Sequence, residues 1–166
     1  DFAPDYINTA IEKGALDFEE AAAGSPHPMH IAVEAGNGMG GRILGELAKI
    51  TPMFDWTFSH ANPDGRFPVM VPNPLNAKYQ AMVAELVEES DGDLGVCFDG
   101  DADRVAVADE NGDMISPPFM ASLIGRRLRE NLGPDAKIAH NVACSCAVAD
   151  TLGDRRQWIC WRTECR

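Results

Sequence analysis

Asp99, Asp101 and Asp103 place three carboxylates two residues apart in a short turn, Asp99-Gly-Asp-Ala-Asp-Arg104. Like charges held this close repel one another unless a cation neutralises them. Carboxylate oxygens are hard ligands that suit Mg²⁺ or Ca²⁺ better than Zn²⁺. Gly100 and Ala102 are small, which lets the backbone fold tightly enough for alternate side chains to converge. An apolar run, Leu94 to Phe98, leads into the turn, and a second, Val105 to Ala108, leads out. Apolar runs bounded by turn residues predict two strands carrying the acids between them.

Several chemistries fit such a turn. An EF-hand calcium loop has acids at alternate positions, a glycine at its sharp bend and a closing glutamate. Counted from Asp99, Glu110 fills the last place, but Arg104 stands where the glycine belongs, and the flanks read as strands. An aspartyl phosphatase would use Asp99 as nucleophile and Asp101 as acid/base, but no partner motif follows downstream. A plain solvated acidic turn sits poorly inside an apolar strand pair. The fourth reading is a resemblance. Asp99 to Arg104 resembles the metal-binding loop of the phosphohexomutases, the phosphomannomutase and phosphoglucomutase superfamily. Ile31-Ala-Val-Glu-Ala-Gly-Asn-Gly-Met-Gly-Gly41 is similar to the glycine turn opening that family's second domain. Asn62-Pro-Asp-Gly-Arg-Phe-Pro68 with Pro72-Asn-Pro-Leu75 resembles the long loop of the phosphomannomutase branch. Ala136-Lys-Ile-Ala-His140 resembles the first strand of the third domain. Together these cover about residues 29 to 163.

The elements that must position the acids follow from pattern. Residues 4 to 23 read as helix in two pieces split at Gly14, and Gly24 to Pro28 is a break. Met29 to Val33 is a strand, Met39 to Lys49 a helix, and Met53 to Phe58 a strand. Residues 59 to 76 are proline-rich and aperiodic, and a loop of that length inside a domain is usually functional or disordered. Lys78 to Glu89 is an amphipathic helix with Met82, Val83, Leu86 and Val87 on one side. Glu110-Asn-Gly-Asp113 predicts a type I′ hairpin turn, with Met114 and Ile115 returning as a brief strand. Ser116-Pro-Pro118 marks a domain boundary. Phe119 to Asn131 is a helix with Leu123, Ile124 and Leu128 apolar and arginines opposite, stopped at Gly133-Pro134. Ile138 to Val142 and Gln157 to Trp161 read as strands, with a short helix from Cys146 to Leu152 between them. Strands alternating with helices predict a layered α/β fold with a mixed sheet. The expected form is a three-layer α/β/α domain followed by part of a second, similar one. The expected organisation is residues 1–28 as linker helices from a first domain, 29–115 as the domain with the metal loop, and 116–166 as an incomplete third domain.

Gly36-Asn-Gly-Met-Gly-Gly41 also satisfies the dinucleotide-binding pattern, between a strand and a helix, with Asp55 placed to grip a ribose. A non-catalytic metal- or dinucleotide-binding module is therefore the alternative to an enzyme. In the plainer reading the glycines only allow a tight strand-to-helix turn. His60, Asp64 and Arg66, in the long loop, read as structural or domain-interface residues.

The chain carries 26 acidic and 14 basic residues, for a net charge of −12. Such a surface repels nucleic acid and anionic membranes, so neither is expected as a partner. Five cysteines without a Cys-x-x-Cys spacing argue against a disulfide framework or structural zinc; His140 with Cys144 and Cys146 lacks a fourth ligand. Free thiols point to a reducing compartment and a cytoplasmic location. No apolar run reaches the roughly 18 residues of a membrane helix. A start at Asp1 without methionine suggests a piece of a longer protein.

The resemblance implies a mutase that interconverts hexose 1-phosphate and 6-phosphate, with mannose as the expected sugar, through a phosphoserine and a bisphosphate. It implies Mg²⁺ held by Asp99, Asp101 and Asp103, and Arg104 in contact with substrate or phosphoryl oxygens. Nothing here resembles the family's phosphoserine loop, and Ser25 is a poor substitute, so no catalytic nucleophile is expected in this chain. The sugar-recognition loop and phosphate clamp are likewise absent, Ala143 replaces a usual basic residue, and Glu164-Cys165 breaks the pattern begun by Arg162-Thr163. The expectation is an inactive fragment that depends on missing domains of the same protein and is prone to self-association.

Overall fold

The computed structural model describes residues 3–14, 18, 23, 27–133, 138–141, 146–152 and 158–161. Two compact units divide the chain, residues 1–114 and 115–166.

The first unit runs α1 (Ala3–Gly14), β1 (Met29–Glu34), α2 (Gly40–Ile50), β2 (Phe54–Ser59), α3 (Ala77–Ser90), β3 (Leu94–Phe98) and β4 (Val105–Ala108). The four strands form one sheet in the order β2-β1-β3-β4. β1 is parallel to β2 and to β3, whereas β3 and β4 are antiparallel. The mixed sheet expected from the alternating pattern is thus present, and both strands flanking the acids have the bounds their apolar runs predict.

Neighbouring residues on a strand face opposite sides of the sheet. Ala32 and Val33 on central β1 are both fully buried, so helices must cover both faces. On one face, Tyr79 and Val83 of α3 pack with Cys97 and Ala108 as a core cluster. Gly95 of β3 lies flush beneath that helix, and a Cβ there would stand 2.6 Å from Val87 and 2.8 Å from Val83. On the other face, the Phe98 ring packs against Gly40 at the start of α2. α3 is capped by Asn76, whose side chain accepts from the Lys78 amide.

Two local expectations fail. The 110–113 turn is not type I′, because Gly112 has φ +77° while Asn111 stays outside the left-handed region. The Asp109 carboxylate accepts from the amides of Asn111 and Asp113 at 2.9 Å each, and Gly112 N–H donates to the Asp109 carbonyl at 3.0 Å. This aspartate-capped turn closes on a left-handed glycine, as in longer hairpin loops. The brief return strand shrinks to one bridge, Ala108 to Met114.

The second unit contains α4 (Pro117–Leu132), β5 (Ile138–Asn141), α5 (Cys146–Leu152) and β6 (Trp158–Trp161), with β5 and β6 parallel. α4 begins at the prolines rather than after them, since proline at the first helical positions gives up no needed donor. Its buried positions are Ser122 and Gly125, while the expected apolar face, Leu123, Ile124 and Leu128, is exposed. The second helical piece of residues 15–23 lies largely outside the described residues, as do Ser25, Ala143, Cys144, Arg162 and Thr163.

Candidate metal centre

Parallel pairing puts the C-terminal ends of β1, β2 and β3 at one edge of the sheet. From them leave the glycine turn, the 59–76 loop and the acidic turn. The three loops brace one another through backbone. Met39 N–H donates to the Gly100 carbonyl at 3.0 Å, Asn37 N–H to the His60 carbonyl at 2.8 Å, and Asp64 N–H to the Asn37 carbonyl at 2.8 Å.

Within the acidic turn, one oxygen each from Asp99, Asp101 and Asp103 lies within 4.8 Å of the others. Asp99 is 2 % exposed, whereas Asp101 and Asp103 are open to solvent. Arg104 orients the buried member. Its amide donates to Asp99 Oδ1 at 3.1 Å and its Nε to Oδ2 at 2.7 Å. Its guanidinium also lies 3.7 Å from Asp103. Burial pushes the Asp99 carboxyl up, but its bonds to Arg104 and Asp103 outweigh that and hold it below the ordinary range. Asp103 is pushed up, first by sharing a proton with Asp99 and then by the charges of Asp101 and Asp99. Three carboxyls crowded within 4.8 Å, one of them pushed up in part by the charges of the other two, form a site that a cation would relieve. Each carboxylate oxygen has a second lone pair beyond its protein bond, so the donor set fits a hard divalent cation.

The tight backbone arises differently from the sequence expectation. Ala102, not Gly100, adopts the left-handed conformation, with φ +63°. Gly100 is small for another reason: a Cβ there would meet the Phe67 ring at 3.0 Å. Phe67 itself has φ +46°, a genuine outlier for a bulky residue.

The glycine turn is filled by its own protein. A Cβ on Gly38 would sit 2.7 Å from the Gly100 carbonyl oxygen, and one on Gly41 2.5 Å from the Ala61 oxygen. The Gly38 amide is engaged by the Ala35 carbonyl at 2.8 Å. Gly38 and Gly41, which would approach a pyrophosphate, are instead packed against the protein's own backbone. Asp55 pairs with His30 at the start of β1, the end of the sheet remote from this turn, so it cannot grip a ribose there. The dinucleotide-binding alternative thus lacks its ribose-gripping acid, and packing accounts for Gly38 and Gly41 as the plainer reading expects.

The long-loop residues act within the protein. Glu34, 1 % exposed at the end of β1, accepts from the Gly36 amide at 2.8 Å and pairs with His60 Nδ1 at 2.9 Å. Asp64 pairs with Arg66 at 2.6 Å, which lowers the aspartate's pKa. A cavity of about 370 Å³ adjoins the turn, lined mainly by apolar groups such as Met39, Ile43, Leu44 and Phe98, with Asp101 among its walls. Sequence reasoning missed Tyr79 and Glu34. A tyrosine among the apolar positions of a helix and an acid ending a strand gave no separate signal.

Residues 4–112 match the phosphoglucomutase/phosphomannomutase alpha/beta/alpha domain II. A phosphomannomutase of Vibrio cholerae is 35% identical over 130 residues, covering 75% of this chain and 28% of the relative. A phosphoglucomutase of Neisseria meningitidis is 34% identical over 127 residues, covering 74% and 26%. The crystal structure of a phosphoglucomutase/phosphomannomutase family protein from Burkholderia thailandensis superposes with a TM-score of 0.77 at 25% identity, covering 98% of this chain and 33% of that one. The chain thus spans between a quarter and a third of the length of these proteins. With a match over most of its first unit and a metal-competent acidic turn inside that match, the chain belongs to the phosphoglucomutase/phosphomannomutase family.

Proposed function

We propose that this chain is the metal-carrying part of a sugar phosphate mutase that interconverts hexose 1-phosphate and hexose 6-phosphate. The observation that carries the reading is the cluster of Asp99, Asp101 and Asp103 within a matched second domain of that family. Asp99, Asp101 and Asp103 would hold Mg²⁺. That ion supplies charge neutralisation for a transferring phosphoryl group. Arg104 keeps Asp99 ionised and aimed, and its largely exposed guanidinium (side chain 56%) offers donors to a phosphoryl or sugar oxygen.

The nucleophile, the sugar-recognition groups and the phosphate clamp are assigned to other domains of the intact protein, so the isolated chain is proposed to be inactive. Residues 29–115 are assigned to the second domain and 116–166 to the start of the third. The compact-unit boundary at 114/115 supports a division there, and the family match from residue 4 favours moving the start of the second domain ahead of residue 29, so that α1 belongs to it rather than to a linker. Mannose preference rests on the Asn62-Pro-Asp-Gly65 loop, and a cytoplasmic location on the free-thiol argument.

The test is a coupled assay on the intact protein with Mg²⁺ and a trace of hexose bisphosphate, using mannose 1-phosphate and glucose 1-phosphate side by side. Turnover in the intact protein, its loss in Asp101→Asn and none in the 166-residue chain are expected. Turnover that survives Asp101→Asn at full rate would remove the acidic turn from the mechanism.

A further inference from the structure

The geometry points to Tyr79 as a positioning residue for the acidic turn. This rests on the reading of that turn as a divalent-cation site. Tyr79 is fully buried in the first turn of α3. Its hydroxyl lies between two backbone carbonyls, 2.9 Å from Phe98 O and 3.3 Å from Glu34 O. One proton serves both, and the shorter bond takes the larger share.

Those carbonyls end β3 and β1 respectively. The Phe98 carbonyl belongs to the same peptide plane as the Asp99 amide, which donates to Arg104 O at 3.3 Å. That plane is therefore fixed at both ends, by the tyrosine hydroxyl on one side and the turn itself on the other. Its rotation would swing the Asp99 carboxylate away from Asp101 and Asp103. The Glu34 carbonyl leads into the glycine turn, which grips the acidic turn through Met39 N–H and Gly100 O. A Cβ on Gly36 would lie 2.4 Å from the hydroxyl oxygen, so the turn is packed directly against it. The pKa of Tyr79 is raised, by burial first and by Glu34, Cys97 and Asp99 after it; the hydroxyl is a permanent donor.

Outer partners that orient metal ligands typically change affinity by roughly tenfold or more when removed. The test uses Mn²⁺ alone as probe, with free Mn²⁺ read by electron paramagnetic resonance, on the 166-residue chain. Tyr79→Phe keeps the ring and deletes the hydroxyl. Its Mn²⁺ Kd is expected to rise roughly tenfold. Val87→Ala, a buried truncation further along α3, is expected to lower Tm and leave Kd unchanged. Equal Kd values for wild type and Tyr79→Phe, or equal increases in both variants, overturn the inference. Failure of wild type to bind Mn²⁺ sinks the cation site and the inference together. Binding that Asp101→Asn abolishes and Tyr79→Phe leaves intact sinks the inference alone. If Tyr79→Phe does not fold, the wild type decides. Of its two tyrosines, Tyr79 should show a ring ¹³Cζ resonance that moves with Mg²⁺ saturation, with Tyr6→Phe giving the assignment. A resonance that stays fixed through saturation overturns the inference.

Discussion

Asp101 is the member of the acidic trio with no bond to Arg104 among those found, and it stands exposed. Asp101→Asn should weaken Mg²⁺ or Mn²⁺ binding at least tenfold while leaving Tm within a few degrees, because no packing is lost; calorimetric titration and thermal melting read the two effects separately. Gly38→Ala should act the other way. Its Cβ would press on backbone at 2.7 Å, and overpacking of this kind costs about 1–3 kcal/mol, which a denaturant melt would register. Cys97 gives a pH test. Burial pushes its thiol up to about 11 from 9.0. The unfolded thiol ionises first, so this contribution is complete below pH 9 and is lost as pH rises through 11. Stability measured across that window should fall, less steeply in Cys97→Ala, and an aromatic disulfide reagent at neutral pH should not reach Cys97 until the protein unfolds. At this scale the sequence was informative about chemistry and silent about support. Three acids at alternate positions can be read without coordinates. The Phe67 ring over Gly100 and the Tyr79 hydroxyl between two strand ends depend on residues far apart in the chain, which no local pattern encodes.

At the scale of elements, β3 and β4 were legible to the residue because short apolar runs met unmistakable turn residues on both sides. Helix starts were less legible, since α2 begins at Gly40 behind Met39, which makes no side-chain cap. α3 does have a cap, and Asn76→Ala should cost about 1 kcal/mol in a chemical melt; a neutral result would mean that packing of Tyr79, Val83 and Val87 alone defines that end. The hairpin after β4 was misread because Asn-Gly outweighed the preceding aspartate. Asp109 engages three groups of the turn through side chain and carbonyl, and that decides the geometry. In α4 the apolar stripe was legible but its burial was not, because small residues, Ser122 and Gly125, set the buried face.

On the scale of the molecule, the fold class followed from strand and helix alternation, and the second domain of the family from three short segments in order. The dinucleotide alternative could not be dismissed from sequence, because the glycine pattern and an acid at the right distance were both present. Strand register takes away its ribose-gripping acid by sending Asp55 to the other end of the sheet. No helix among the described residues is long and apolar enough to cross a membrane.

The antiparallel return of β4 carries a consequence for where this protein can change length. Three parallel strands deliver their loops to the end that carries the acidic turn, where Gly38 and Gly41 lie against backbone with no room for a Cβ. β4 carries the chain away from that end, so Asp109 to Asp113 emerges opposite, with Glu110 and Asn111 exposed. The fold is thus closed to insertion beside Gly38 and open at the 109–113 turn. A short graft between Glu110 and Asn111 should be carried without disturbing the acidic turn, and the same graft beside Gly38 should not.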